Sequence, residues 1–173
     1  MKFLLHLKPW ILFLIFLIGM IFSGDSSYYG LFICYLFFTI YIGWIYQIGA
    51  SMYNLISNPK SSIRYFKFSC WFMGVSIILS NLFYLYFSQF IPHNATIDLI
   101  ASISLPCYSF WSWLYISMFA ARMLKSAAEG KSVNKSDSLK LFLCFFIFPI
   151  GVWYIQPTVQ RVLKKYVTPP ISY

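Results

Sequence analysis

Residues 141–155 read LFLCFFIFPIGVWYI, from Leu141 to Ile155, and the architecture turns on them. The run is apolar almost throughout. It is interrupted at Pro149-Ile150-Gly151 and stopped by Gln156-Pro157. At ~1.5 Å per residue, a straight helix of this length reaches about 22 Å, short of the ~30 Å hydrocarbon core of a bilayer. Basic residues flank it on both sides: Lys135 and Lys140 before, Arg161, Lys164 and Lys165 after. A membrane-crossing helix would put these two groups on opposite sides. A re-entrant hairpin or an in-plane helix would keep them together. The non-spanning arrangement is the expectation; a fifth span over Leu139 to Val159 is the alternative.

The expectation rests on the rest of the chain. Of 173 residues, 60% are hydrophobic and 10% charged, with a mean hydropathy of +0.72. A soluble domain carries about 25% charged residues, so this chain cannot cover a soluble globule with polar groups. Its thirteen basic residues are segregated. Lys2 and Lys8, then Lys60, Arg64 and Lys67, then Arg122, Lys125, Lys131, Lys135 and Lys140, then Arg161, Lys164 and Lys165 all fall in segments that can share one side of a membrane. The two remaining loops carry only Asp25 and Asp98. With Glu129 and Asp137 on the basic side, that side sums to +11 and the other to −2, which gives the net +9. Basic loops stay cytoplasmic, so both termini are expected there.

The fold class expected is all-α: one polytopic integral membrane domain over residues 1–173, with four transmembrane helices plus the C-terminal segment. The spans are about 9–23, 28–53, 68–90 and 99–123, with the short apolar segment at 141–155. Pro9 suits a first helical position, where its missing N–H has no partner to lose. A cleaved signal peptide is the rival reading of the first span. Pro106 is expected to kink the fourth span, whose helix can run on to Glu129 with Gly130 just past its end. Ser136 or Asp137 is the expected cap of the next helix. No internal repeat is evident.

Polar and small residues form stripes along the spans. Gly43, Gln47, Ala50, Ser51 and Asn54 fall on one helical face. Gly74, Asn81 and Ser88 recur every seven residues, and Ser102, Ser109 and Ala120 share a face with Ser112 nearby. Small residues let helices approach, and Gln or Asn can hydrogen-bond across the contact. The stripes are thus candidate packing seams; the alternative is the lining of a pore. Pro149, Gly151 and Pro157 mark the candidate re-entrant break.

Chemistry is thinly provided. No Asp, Glu, Lys or Arg lies near the middle of a span, where ion-coupled transporters place them. His6 and His93 fall on opposite sides in this topology, so no metal site is expected. Cys34, Cys70, Cys107 and Cys144 lie one to each of four apolar segments, without a C-x-x-C pair, and suit small buried roles. No G-x-S-x-G elbow accompanies the many serines. Asn94-Ala95-Thr96 matches a glycosylation sequon, read here as chance. Trp10, Trp71 and Trp153 suit interfacial aromatic belts. The basic residues flank apolar spans, so anionic headgroups rather than nucleic acid are the expected counterpart. Abundant Lys, Phe, Ile and Tyr hint at an AT-rich bacterial genome.

Glu129-Gly130-Lys131-Ser132-Val133, together with Phe148-Pro149-Ile150-Gly151-Val152-Trp153-Tyr154-Ile155-Gln156-Pro157, resembles the C-terminal part of small four-span membrane proteins of Bacteroidetes. These end in a Phe-Pro-Ile-Gly-(Ile/Val)-Trp-(Phe/Tyr)-Ile-Gln-Pro segment, often continued by Arg where this chain has Thr158. The resemblance is confined to this third of the chain. It implies a bacterial inner-membrane protein and supplies no catalytic residue. The functional expectation is a non-enzymatic, multi-pass protein without catalytic residues, metal or cofactor, anchoring or regulating a protein partner. The alternative is a homo-oligomeric pore-forming or membrane-disrupting effector, for example in phage defence.

Overall fold

Pro9 starts the first long helix, as its fixed backbone angle favours. In the computed structural model, which describes residues 3–22, 28–56, 61–82, 95–134, 136–147 and 150–167, α1 covers Phe3–His6 and α2 covers Pro9–Phe22. The following helices are α3 (Tyr28–Tyr53), α4 (Ile63–Leu82) and α5 (Ala95–Glu129). A 3-10 turn (Ser136–Ser138) leads into α6 (Leu139–Phe146), and α7 (Val152–Val167) ends the described chain. The described residues contain helices and no strand, an all-α architecture.

Helix α3 is the central element and packs on α1, α2, α4 and α5. Its Phe37, Tyr41 and Trp44 surround Phe16 of α2, with ring centroids 5.7–5.8 Å from it. On the other side, Phe66 of α4 stacks on Phe119 of α5 at 4.3 Å and on Tyr46 at 6.0 Å. Phe66 explains why α4 begins at Ile63 and not near Phe68. Its ring is fully buried while Arg64 and Lys67 point outward, so the first turns are amphipathic and not a polar loop. Beyond Leu82, the expected third span lies outside the described residues.

Helix α5 runs unbroken through Pro106 to Glu129. It stops where Gly130 takes φ +70, a left-handed conformation natural to glycine and the usual end of a helix. The expected cap of α6 needs correction. Ser138, not Ser136 or Asp137, is its N-cap residue, and it makes no side-chain capping bond. Ser136 and Asp137 are held in the 3-10 turn instead.

The deciding stretch is two helices with a break. Helix α6 is eight residues, about 12 Å, and α7 sixteen, about 24 Å, so neither reaches ~30 Å. Gly151 lies against the Cys144 carbonyl so closely that no Cβ fits. Gln156-Pro157 does not stop the second helix. Helix α7 continues through Pro157 to Val167, because Pro157 sits on its exposed side and removes one backbone hydrogen bond there while Val159, Val162 and Leu163 bury the opposite side.

These two helices form a hairpin. Lys125 Nζ donates to the Asp137 carbonyl (2.6 Å), which holds the start of α6 beside the end of α5. Phe146 reaches Trp113, with rings 4.3 Å apart, well inside the bundle. Trp153 then meets Phe13 of α2 at 5.8 Å, and Tyr166 OH donates to the Ala127 carbonyl (3.1 Å), back at the end of α5. The hairpin thus enters and leaves at one end of the bundle. That end carries the starts of α2 and α4 and the ends of α5 and α7, and with them the described basic residues.

Outward faces are apolar. Ile18 and Ile21, Tyr29 and Phe32, Trp71 and Ile78, and Phe110 and Trp111 are all exposed on their helices. By rise alone α3, with 26 residues, spans about 39 Å. Nevertheless, among the described residues no helix is long and apolar enough over an 18-residue stretch to cross a membrane. This differs from the four spans expected. Helix α2 has only 14 residues, and Arg64 and Lys67 dilute α4.

Candidate functional site

Two prolines explain the polar chemistry of the interior. A helical carbonyl bonds the N–H four residues on. Pro9 therefore leaves the Leu5 carbonyl without its helical donor, and Pro149, by its covalent structure, can offer none to Phe145. Both carbonyls are answered by distant side chains.

Gln156 answers the first. It is fully buried on α7. Its Nε2 donates to the carbonyls of Leu4, Leu5 and Leu7 at 3.0, 2.9 and 2.9 Å. Its Oε1 accepts from Trp44 Nε1 at 3.0 Å. One turn on, Gln160 Nε2 also donates to the Leu7 carbonyl (3.0 Å). Tyr41 answers the second: its hydroxyl donates to the Phe145 carbonyl (3.1 Å) and accepts from Trp113 Nε1 (3.0 Å). The hairpin is therefore keyed to α1, α3 and α5 by these polar groups.

A second constellation lies at the basic end. Arg122 Nε donates to the Val133 carbonyl (2.9 Å), and Nη1 to Ser61 Oγ (2.8 Å). Val133 N–H in turn donates to Ser126 Oγ (3.1 Å), so Arg122 and Ser126 fix the loop after α5. Arg122 closes one end of a surface groove of about 390 Å³, walled by Trp111, Leu114, Tyr115, Met118, Phe119 and Phe142. Glu129 lies elsewhere, 3.6 Å from Lys125 and 3.8 Å from Lys131. Arg122 pairs with no carboxylate among the described residues.

The residues singled out in the sequence are dispersed. Gly43 is half-buried, and a Cβ there would lie 3.9 Å from Leu4. Gln47 is half-buried with its Oε1 enclosed and unbonded among the described residues. Ala50 and Ser51 are half-buried, and Asn54 is exposed in the turn after α3. Gly74 faces open space, and none of the described residues packs closely against it. Ser109 Oγ meets Ser76 Oγ at 3.1 Å across α4 and α5, where Ser112 and Ala120 are also buried. Asn81 and Ser102 lie in helices, with their side chains outside the described residues, and Ser88 and Pro149 lie outside them altogether. Gly151 is buried at the break and Pro157 exposed. Cys70 is buried, Cys144 half-buried and Cys107 exposed, all as free thiols. Among the described residues no three His, Cys, Asp or Glu side chains gather.

Sequence reasoning missed Gln156, Trp44, Tyr41, Trp113 and the groove. A lone Gln in an apolar run, with a proline elsewhere that orphans a carbonyl, was the available signal. Neither the protein-family models, the curated proteins nor the solved structures contain a match to this chain.

Proposed function

We propose that this chain is a non-enzymatic, multi-pass protein of a bacterial inner membrane, related to the Bacteroidetes proteins whose C-terminal segment it resembles. It anchors or regulates a protein partner. In this reading residues 3–22, about 30 Å as α1 with α2, cross the bilayer along with α3 to α5, the termini are cytoplasmic, and α6–α7 form a re-entrant hairpin from the cytoplasmic side. The observation that carries it is the pairing of apolar outward faces with basic residues gathered at one end. Exposed apolar surface on this scale belongs against lipid or protein. Length supports α3 and α5 as spans, although their tyrosines, serines and glycines lower the mean hydropathy. Clustered Lys and Arg attract anionic headgroups at about 1 kcal/mol each, and equally an acidic partner surface.

The polar stripes support packing over a lumen. Gly43 lies beside Leu4, and Ser76 and Ser109 satisfy each other. The homo-oligomeric pore is therefore the lesser reading. The test is induced expression with membrane potential recorded, beside a native-detergent pull-down. An acidic partner retained by the wild type and lost on Lys131→Glu with Lys140→Glu is expected, without depolarisation. Depolarisation on expression, or a chain active alone with no partner, contradicts the proposal.

A further inference from the structure

We propose that the groove beside Arg122 is a binding site for one anionic phospholipid of the cytoplasmic leaflet. The inference rests on the membrane reading above. Four observations converge on it. The walls are largely apolar and aromatic from Trp111 to Phe119, with Phe142 of α6 also lining it. Arg122 and Ser61, bonded to each other, sit together at its basic end. Arg122 spends two of its five N–H donors on Val133 and Ser61 and faces no carboxylate among the described residues. A planar guanidinium with donors to spare matches a phosphate diester in geometry and charge.

Depth decides the kind of occupant. Trp111 and Arg122 are eleven residues apart on one helix, about 16 Å, which is one leaflet of a ~30 Å hydrocarbon core. That length suits an acyl chain and far exceeds what a free phosphate needs. In the bound state the headgroup phosphate accepts from Arg122 with Ser61 beside it, and one chain lies over Leu114, Met118 and Phe142. Lipid would then join the segment before α4, α5 and the hairpin where Arg122 already braces the loop.

The test uses full-length protein in nanodiscs of phosphatidylglycerol and phosphatidylcholine, extracted in mild detergent, with retained phospholipid counted by native mass spectrometry. One phosphatidylglycerol per chain is expected, preferred over phosphatidylcholine about tenfold or more. Arg122→Gln is expected to lower that preference about tenfold, the loss of one charge-assisted contact. Leu114→Trp fills the wall, leaves Arg122 in place, and is expected to expel the lipid, so the result does not hang on one variant's folding. Equal retention of both lipids, unchanged retention in both variants, or stripping by excess inorganic phosphate overturns the proposal. Vesicle flotation separates the two levels. A wild type that floats with either vesicle yet retains both lipids equally sinks the lipid site alone, and one that stays in the aqueous fraction without detergent sinks the membrane reading with it.

Discussion

Replacing Gln156 with Ala removes the single side chain that ties the N-terminal turn to both α3 and α7. Two protons on Nε2 face three carbonyls, so at most two of those bonds are strong at once. Gln160 still serves the Leu7 carbonyl. The lasting orphans are Trp44 Nε1, on a fully buried ring, and the Leu5 carbonyl, which Pro9 cannot serve. A buried unpaired group costs about 1–3 kcal/mol, and a low-end value suits an apolar environment where measured hydrogen bonds average about 0.6 kcal/mol. Adding the lost packing of the side chain gives about 3 kcal/mol of destabilisation. For a chain of this size that is a fall of about 6–12 °C in Tm. The assay is thermal unfolding in mild detergent, monitored by tryptophan fluorescence. Trp44→Phe removes the same donor, so its effect and that of Gln156→Ala should be less than additive, with about 1 kcal/mol of coupling. A Gln156→Ala variant within about 0.5 kcal/mol of wild type, or strict additivity with Trp44→Phe, refutes the reasoning.

Other substitutions probe the same frame. Tyr41→Phe should cost about 1–2 kcal/mol by stranding Trp113 Nε1 and the Phe145 carbonyl, read in the same unfolding assay. Gly151→Ala drives a methyl into the Cys144 carbonyl, so the hairpin should open and limited chymotrypsin should cut after Phe146 or Trp153, at the facing ends of α6 and α7; wild-type resistance would refute the contact. Gly130→Ala should cost about 1 kcal/mol because Gly130 holds φ +70. Gly74→Ala, in open space on α4, should be neutral or gain up to about 1 kcal/mol from helix propensity. Equal melting temperatures for the two glycine variants would contradict both assignments.

Local signals in the sequence translated into structure where one residue's covalent chemistry decides the outcome. Pro9 opens α2, Gly130 closes α5, and the last apolar run divides between Phe146 and Val152, with Ile150-Gly151 in the break. The bounds of α3 match its uninterrupted apolar pattern. Long-range pairings left no such trace. Trp44 and Gln156 are 112 residues apart, and Tyr41 and Trp113 are 72 apart. No spacing rule connects them, and Gln156 reads locally as a polar stop. Its burial makes sense only beside the carbonyl that Pro9 orphans. The start of α4 was hidden for a similar reason, since Arg64 and Lys67 look like loop until Phe66 is seen stacked on Phe119. The Arg122 groove has no signature at all, because Ser61, Arg122 and Phe142 come from three separate elements.

The central claim is that the α6–α7 hairpin enters and leaves the bundle on the cytoplasmic side, which keeps all thirteen basic residues together. A topology reporter fused after Tyr173 and expressed in bacterial membranes tests it most directly. A cytoplasmic signal is predicted. A periplasmic signal would mean that the last apolar run crosses the membrane, with Arg161, Lys164 and Lys165 outside, and would contradict the account.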